Sequence, residues 1–364
     1  MIQNTYPGAA LLAVATVLVV AAGHARADDT VVTSSNESAG NAVLQFQQSD
    51  DGTLSFVARH ATGGIGTDGG LGNQGAIATD GEFLFVVNAG SDDISAFRIE
   101  NDSLTLTGTI ASGGTRPVSV TVDRGVVYVL NAGSDNIAGF RIDSHGQFTA
   151  IGGSSRPLST TGTGPAQISF SKDGRVLIVT EKATNTIITF PVDRDGIAGP
   201  GRAFASPGQT PFGFAVTKGR RLLVSEAAGG QAGLSSVSSW KVSPHGELTI
   251  LDAVEPTLQS AACWVVVTPD GRFAYVTNAG SGNVSGFHVN GDDLTLLDGD
   301  GSTAETGAGS VPLDMAVNAS GDFLHTLNSG TDSIATFRIN GDGSLEAVGS
   351  IGGLPDPANG LLTY

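Results

Sequence analysis

Apolar and polar residues follow a pattern along this chain that changes every few positions and then starts again. In residues 83–110 the apolar run FLFVV is followed by the turn NAGS and then by ISAFRI, where apolar and polar residues alternate. A short apolar run and a period of two both indicate β-strands. The strand-like LTLTGTI follows a polar turn, and GAIATDG (75–81) precedes the unit with the Asp-Gly pair typical of hairpins. The pattern predicts four antiparallel strands.

This unit is repeated. The segment VVNAGSDDISAFRI (86–99) returns in similar form at 129–142, 276–289 and 326–339. The turn before the fourth strand occurs seven times, each time 44 to 51 residues after the last. An apolar residue closes each of these turns: Leu54, Leu104, Phe148, Ile197, Leu248, Leu294 and Leu345. Four strands at this spacing are the signature of a propeller blade. We therefore predict an all-β fold, a seven-bladed β-propeller of four-stranded antiparallel blades.

The two ends of the chain each supply part of a blade. Residues 358–364 (ANGLLTY) read as a first strand with nothing after it, and residues 30–35 (TVVTSS) as a second strand with nothing before it. Pairing them would close the ring and cover two sheet edges that could otherwise template aggregation. We expect this closure within a single domain over residues 28–364.

The first residues have a different character. Residues 9–22 are apolar and are followed by ARA at 25–27, a pattern typical of a signal peptide and its cleavage site. The run is too short to cross a bilayer core, which takes about 20 apolar residues. We expect residues 1–27 to be a signal peptide, and the mature chain, beginning at Asp28, to be periplasmic or secreted.

Charge and cysteine content narrow the partners. Without Arg26 the mature chain carries 17 basic and 35 acidic residues, a formal charge of −18. This charge repels phosphate backbones and anionic lipids, so we expect neither nucleic acid nor a membrane surface as a partner. The single cysteine, Cys263, allows no internal disulfide and lies in the apolar stretch AACWVVV. We expect a monomer that binds a small molecule.

The loops joining second to third strands should meet those entering the first strands on one face of the ring. The NAGS turns are of this kind, so we expect four asparagines to ring one channel mouth: Asn88, Asn131, Asn278 and Asn328. Blades 4 and 5 carry Glu181 and Glu226 at this position. Two carboxylates within about 5–9 Å of each other could activate water, or could join Asn oxygens around a divalent cation. Alternatively, each Asn serves the turn conformation, and the glutamates pair with Lys182 or Arg221 at the surface.

Other loops of this face add candidates. Arg116 could bind a carboxylate or phosphate through two hydrogen bonds, or be an ordinary solvent-facing arginine. Aromatic residues there could form an apolar or sugar-stacking floor, or belong to the core. We take Glu181 and Glu226 as candidate catalytic residues. The candidate ligand-binding residues are Arg116, Gln167, Asn88, Asn131, Asn278, Asn328, Trp264 and Asp314. We expect no cofactor, since no haem, zinc, Walker or nucleophile-elbow motif is present.

The repeats resemble the seven-bladed lactonase family, which includes bacterial 6-phosphogluconolactonase and fungal carboxymuconate cyclases. The resemblance covers about residues 30–364 and rests on PDGRFAYVTNAGSGNVSGFHV (269–289) and SKDGRVLIVTEKATNTIITFPVD (171–193). It implies lactone ring opening. Enzymes of this family carry H-x-H or P-x-H where the fourth inner strand begins and Arg-His where the fifth begins. The matching positions here are Gly164, Ala166, Phe212 and Gly213.

The family's fifth-blade glutamate matches Glu226 to within one residue, but its base and anion clamp are missing, which argues against phosphogluconolactone hydrolysis. Two functions are carried forward. The first is an exported lactone hydrolase in which a glutamate activates water, and Arg116 or a rim Asn stabilises the oxyanion. The second is a non-catalytic binding scaffold in the periplasm or cell envelope.

Overall fold

The protein was analysed as a computed structural model, which describes residues 1–2, 29–100, 103–217 and 219–364. Its strands form seven antiparallel sheets, the blades of a ring around a central channel. The prediction of an all-β, seven-bladed propeller is confirmed. The expected signal peptide falls almost entirely outside the described residues. No helix among the described residues has the length and apolar character needed to cross a bilayer.

The strands of each blade follow from the channel outward. Blade 1 has β30 (Asn359–Thr363), β1 (Thr30–Ser34), β2 (Ala42–Gln48) and β3 (Leu54–Ala61). Blade 2 has β4 (Ile77–Thr79), β5 (Phe83–Asn88), β6 (Asp93–Glu100) and β7 (Ser103–Ala111). Blade 3 has β8 (Pro117–Asp123), β9 (Val126–Asn131), β10 (Asn136–Ile142) and a split outer strand, β11 (Phe148–Ala150) and β12 (Arg156–Pro157). Blade 4 has β13 (Pro165–Phe170), β14 (Val176–Glu181), β15 (Thr186–Pro191) and β16 (Arg202–Ala205).

The remaining three blades complete the ring. Blade 5 has β17 (Pro211–Val216), β18 (Arg221–Glu226), β19 (Ser236–Val242) and β20 (Leu248–Pro256), with one 3-10 turn at Ala228–Gly230. Blade 6 has β21 (Ala262–Val267), β22 (Phe273–Asn278), β23 (Asn283–Asn290) and a split outer strand, β24 (Asp293–Leu296) and β25 (Ala304–Glu305). Blade 7 has β26 (Pro312–Val317), β27 (Phe323–Asn328), β28 (Ser333–Ile339) and β29 (Leu345–Gly352).

The ring closes as the sequence predicts. β1 pairs antiparallel with β30, with Val31 opposite Thr363 and Val32 opposite Leu362. Thr30 and Tyr364 exchange backbone hydrogen bonds of 2.9 and 3.0 Å beyond the strand ends. A blade shared by both chain ends removes the two free edges and fixes the ends to each other.

The core lies between blades rather than within one. All six residues of β5 are buried, whereas most of the outer strand β7 is exposed. Polar side chains add links between blades: the Tyr128 hydroxyl of blade 3 donates to the Gly196 carbonyl of blade 4 at 2.8 Å. The Tyr275 hydroxyl of blade 6 does the same at the Gly343 carbonyl of blade 7. Each sheet therefore depends on its neighbours for burial, as expected for a repeat that cannot bury its own faces.

The ring has two faces. We call the one that carries the hairpins between first and second strands, such as the Gly174 hairpin, the hairpin face. The opposite one, which carries the turns after Asn88 and its equivalents, is the Asn face. Because strands alternate in direction, the turns between third and fourth strands also lie on the hairpin face.

Candidate functional site

The inner strands carry an irregularity at the same place. In five blades the pairing of the first with the second strand shifts register within its first four residues, between Pro165 and Gln167 in blade 4 and between Pro312 and Met315 in blade 7. A bulge of this kind re-aims the side chain that it contains. Gln167 and Asp314 lie at these irregularities, and both side chains line the central channel.

A glycine-rich loop closes the channel at the Asn face. This crossing loop, residues 62–76, connects β3 to β4 and reaches the inner strands of blades 3, 4 and 6. The Gln74 side chain pairs with both backbone groups of Val265, donating to its oxygen at 3.0 Å and accepting from its nitrogen at 3.2 Å. The Gln74 nitrogen donates to the Ala166 carbonyl at 3.1 Å. Asn73 donates to Val118, and Lys182 to the carbonyl of Gly72.

The other half of the channel is a cavity. It has a volume of about 350 Å³, extends from Gln74 and Gly75 at its inner end, and opens at the hairpin face beside Lys172, Val267 and Thr363. Six of the seven blades contribute to its wall. A pocket of this size is large enough for a small-molecule ligand. The accessible part of the channel is therefore at the face opposite to the one that the sequence favoured.

Asp314 is the acidic side chain at the inner end of this cavity. Its carboxylate accepts the Met315 N–H at 2.8 Å and also the N–H groups of Leu361 and Gly75. Burial raises its pKa to about 7, although these three hydrogen bonds act in the opposite direction. A carboxylate has about four acceptor positions, so three N–H donors leave one for a water molecule or ligand.

The wall of the cavity is otherwise mostly apolar. Phe170, Phe214 and several valines line it, and Lys172 at the mouth is its other charged residue. Gln167 is committed to structure, because its side chain pairs with the backbone nitrogen and oxygen of Phe214 at 2.6 and 3.1 Å. The site thus combines one buried acid, an apolar wall and a cation at the entrance.

The four asparagines lie inside the blades. Each is the last residue of its second strand and is at most 1% exposed. Asn88 bonds to side chains of two blades, accepting from Asn41 at 2.9 Å and donating to Ser95 at 2.8 Å. The left-handed residue of its turn is Asp92, with φ of 59°. The expected ring at the channel mouth and the expected turn conformation at the Asn are therefore both corrected; their ligand-binding role stays a prediction.

Glu181 and Glu226 are enclosed in the same way, at 0% and 1% exposure. Glu181 accepts the Ser159 N–H at 3.0 Å and the Thr184 hydroxyl at 2.7 Å. Glu226 accepts the hydroxyls of three serines, at 3.2 Å from Ser206, at 3.0 Å from Ser236, and also from Ser238.

Burial raises the pKa of Glu226 to about 8, against the effect of its serine donors. Neither glutamate reaches the cavity, so the expected placement at the channel mouth is wrong, and the catalytic role stays a prediction without this support. The alternative surface ion pairs are not formed either. Lys182 donates to the carbonyl of Gly72, and Arg221 to Ser239 and to the carbonyls of Gly291 and Asp292.

Arg116 and Trp264 lie toward the closed end. Arg116 is exposed on the Asn face with φ of 51°. Trp264 is 3% exposed and its ring centroid is 5.0 Å from that of Phe212, so the aromatic pair belongs to the core. Lys182 lies over the Phe212 ring at 4.6 Å, and burial lowers its pKa to about 8.

Of the predicted residues, the structure brings Gln167 and Asp314 together in the cavity. Sequence reasoning missed Gln74, which closes the cavity, and Lys172, which marks its entrance. Only the sequence GNQG around Gln74 hinted at an unusual loop. Among the described residues, no group of three or more His, Cys, Asp or Glu side chains is placed to hold a metal ion.

Comparison with known proteins agrees with this architecture. A family described as lactonase, 7-bladed beta-propeller, matches residues 41–156 and 234–357. No curated protein matches the chain. A periplasmic gluconolactonase from Pseudomonas aeruginosa is 16% identical with a TM-score of 0.71, over 91% of this chain and 98% of that one. A candidate 6-phosphogluconolactonase from Bacteroides uniformis is 18% identical with a TM-score of 0.73, over 92% and 99%.

A protein from Lactobacillus plantarum is 17% identical with a TM-score of 0.75, over 93% of this chain and 99% of that one. At these identities the solved structures support the fold alone.

Proposed function

The chain belongs to the lactonase family of seven-bladed β-propellers, and from this premise we propose that it hydrolyses a small polar lactone in the channel cavity. The observation that carries the proposal is Asp314, a buried carboxyl group at the inner end of a cavity open to solvent, with its pKa raised to about 7. A general base with a pKa near the working pH combines the right protonation state with sufficient basicity.

The reaction uses water alone. The Asp314 carboxylate takes a proton from water as the water oxygen bonds to the lactone carbonyl carbon. The tetrahedral intermediate then breaks its bond to the ring oxygen, which receives the proton from Asp314. The product is a hydroxy acid, and Lys172 at the mouth attracts its carboxylate. Inner-edge N–H groups of the first strands are the available donors to the developing oxyanion.

The experiment is a hydrolysis assay of residues 28–364 against D-glucono-1,5-lactone and an aromatic lactone, with and without EDTA. We expect turnover that EDTA does not change and that rises with pH through about 7 as Asp314 loses its proton. Asp314→Asn should lower kcat/KM by about 100-fold or more. The control Asp195→Asn changes an exposed acid on the outer part of the hairpin face and should leave kcat/KM unchanged.

Two results would reject Asp314 as the base: full activity of Asp314→Asn, or loss of activity in Glu181→Gln or Glu226→Gln alone. The second would restore the glutamates as the site. Retained thermal stability of each variant separates chemistry from folding.

A second function has its own support. Glycine, alanine and phenylalanine occupy the positions where the family's enzymes carry histidine and arginine, at Gly164, Ala166, Phe212 and Gly213. A non-catalytic binding protein would retain the cavity without turnover. No hydrolysis of either lactone, together with saturable binding of the hydroxy acid that Asp314→Asn weakens, would favour this function.

We also propose export. Residues 9–27 have the apolar run and small-residue site of a signal peptide, and the P. aeruginosa protein of the same fold is periplasmic. Protein recovered from the periplasm or medium should begin at Asp28; soluble cytoplasmic protein with Met1 intact would reject export.

A further inference from the structure

The charge of this acidic protein is unevenly divided around the ring. Residues 117–256, which form blades 3 to 5, contain 12 of the 18 basic residues and 11 of the 35 acidic ones, a balance of +1. The rest of the chain contains 6 basic and 24 acidic residues, a balance of −18. Three consecutive blades are therefore electrostatically distinct from the other four.

The cations of these blades gather on the hairpin face. We define the basic arc as six side chains in turns or strand ends of blades 3 to 5: Arg124, Lys172, Arg175, Arg194, Arg220 and Lys241. The hairpin of the neighbouring blade 2 instead carries Asp80 and Glu82, and that of blade 7 carries Asp322. The change of sign thus follows the blade boundaries on one face.

Two grooves run through the basic arc. One of about 550 Å³ is lined by Arg124, Arg175, Arg194 and His245. The other, of about 440 Å³, is lined by Lys172 and Lys241, and shares Lys172 with the channel cavity. The arc therefore presents recessed surface rather than isolated charges.

The hairpins of blades 3 to 5 are tied together at Asp173. Arg124 donates to the Asp173 carbonyl at 3.1 Å, and Arg220 pairs with the Asp173 carboxylate at 2.8 Å. A second acid, Asp193, is occupied by the N–H groups of Asp195 and Ile197. These acids are thus already engaged inside the protein.

Four cations of the arc have no such partner. The side chains of Lys172, Arg175, Arg194 and Lys241 are exposed, and none forms a hydrogen bond or ion pair with another described residue. Arginines elsewhere on the hairpin face differ: Arg272 pairs with Asp270, and Arg338 donates to the Asp51 carbonyl and lies over the Phe323 ring. Unpaired cations beside grooves are available to an external anion.

We propose that the basic arc binds an extended carboxylated glycan, such as a chain of uronic acid residues. Single carboxylates spaced along a narrow, flexible chain suit separate cations set along two grooves, with guanidinium groups able to bind a carboxylate through two hydrogen bonds. The proposal does not depend on lactone hydrolysis, because the arc lies outside the channel cavity apart from Lys172.

A nucleic acid fits this surface less well. No aromatic side chain lines either groove, so a single strand would find no stacking platform there. A duplex, with its dense and rigid phosphate charge, would extend over the acidic blades and be repelled by them. A carboxylated chain of lower charge density can follow the arc alone.

The test measures binding of a fluorescently labelled oligogalacturonate of about ten residues to the mature protein, at about 20 and about 300 mM NaCl. Neutral dextran and an oligothymidylate of similar length are the comparison ligands. We expect binding of the uronate at low salt, at least about tenfold weaker at high salt, with no binding of dextran.

The matched variants each remove two arginines from the hairpin face. Arg175→Ala/Arg194→Ala should weaken uronate binding about tenfold or more, and Arg272→Ala/Arg338→Ala, which changes net charge equally, should leave it within about twofold. Three results would overturn the proposal: no uronate binding by the wild type, equal loss in both double variants, or thymidylate binding as tight as that of the uronate. Thermal melts of both double variants show whether each remains folded.

Discussion

The same inner strands build both ends of the central channel, but the two ends serve different purposes. At the Asn face the crossing loop fills the channel, and Gln74 replaces a missing strand by pairing with Val265 on the far side of the ring. At the hairpin face no loop crosses, and a cavity of about 350 Å³ remains between the strands. Asp314 lies where the two halves meet.

The difference shows how a repeat fold gains a unique site. Every blade supplies an inner strand with unpaired edge groups, and at the closed end side chains satisfy them. Thr180 donates to the carbonyl of Phe212, Ser225 to that of Cys263 at 2.6 Å, and Gln167 pairs with Phe214. Where the edges stay unpaired, they are available to water or a ligand. One inserted loop, rather than a change in the repeat, decides which end is accessible.

Deleting residues 358–364 should have the largest effect, because it removes the inner strand of blade 1 from both ends. It exposes the edge of β1 and opens a ring whose stability depends on contacts between neighbours. We expect the melting temperature to fall by about 10 °C or more. A deletion of residues 1–27 is the control, and an unchanged melt after the C-terminal deletion would show that closure contributes little.

Replacing Gln74 tests the closed end alone. Gln74→Ala leaves the buried N–H and carbonyl of Val265 without partners, which should cost about 2–4 kcal/mol of unfolding free energy. The control Gln147→Ala removes an exposed side chain that donates to a single carbonyl, that of Thr107, and should cost less than about 1 kcal/mol. Equal urea midpoints for the two variants would contradict the bridging role of Gln74.

A pair of Ala→Trp variants tests which end the ligand uses. Ala215 lines the cavity at the hairpin face, and Ala183 is exposed on the Asn face. If the ligand enters at the hairpin face, Ala215→Trp should lower kcat/KM or ligand affinity by about tenfold, while Ala183→Trp leaves it unchanged. The reverse order would place the entrance at the Asn face.

The smallest expected effect is the pH dependence that Glu226 adds on the Asn-face side. Its pKa is raised from 4.5 to about 8 in the folded protein, so the folded state holds its proton more tightly between these values. The stability of the wild type should therefore fall as pH rises from about 5 to about 8, by at most about 1 kcal/mol per pH unit.

Glu226→Gln has no such proton to lose, so its free energy of unfolding should fall less than that of the wild type over this range. Urea unfolding at both pH values measures the difference. Glu346→Gln, an exposed change on β29, should follow the wild type. Parallel pH curves for wild type and Glu226→Gln would show that Glu226 stays ionised.

The sequence alone determined the blades and their closure. Strand periodicity, turn residues and the spacing of Leu54 to Leu345 are local properties that each blade repeats, so they can be read without knowing what lies next to what. The pairing of residues 30–35 with 358–364 followed from counting, because one second strand and one first strand were left over.

Only the tertiary structure decided where chemistry can occur. The sequence favoured Glu181 and Glu226 because they replace Asn88 and its equivalents, but burial depends on neighbouring blades, and it enclosed all of these positions. Asp314 was one rim candidate among several until the packed ring gave it an open cavity and a pKa near 7. Gln74 and Val265 are 191 positions apart, and a contact over that distance depends on how the ring is assembled, which no local pattern encodes.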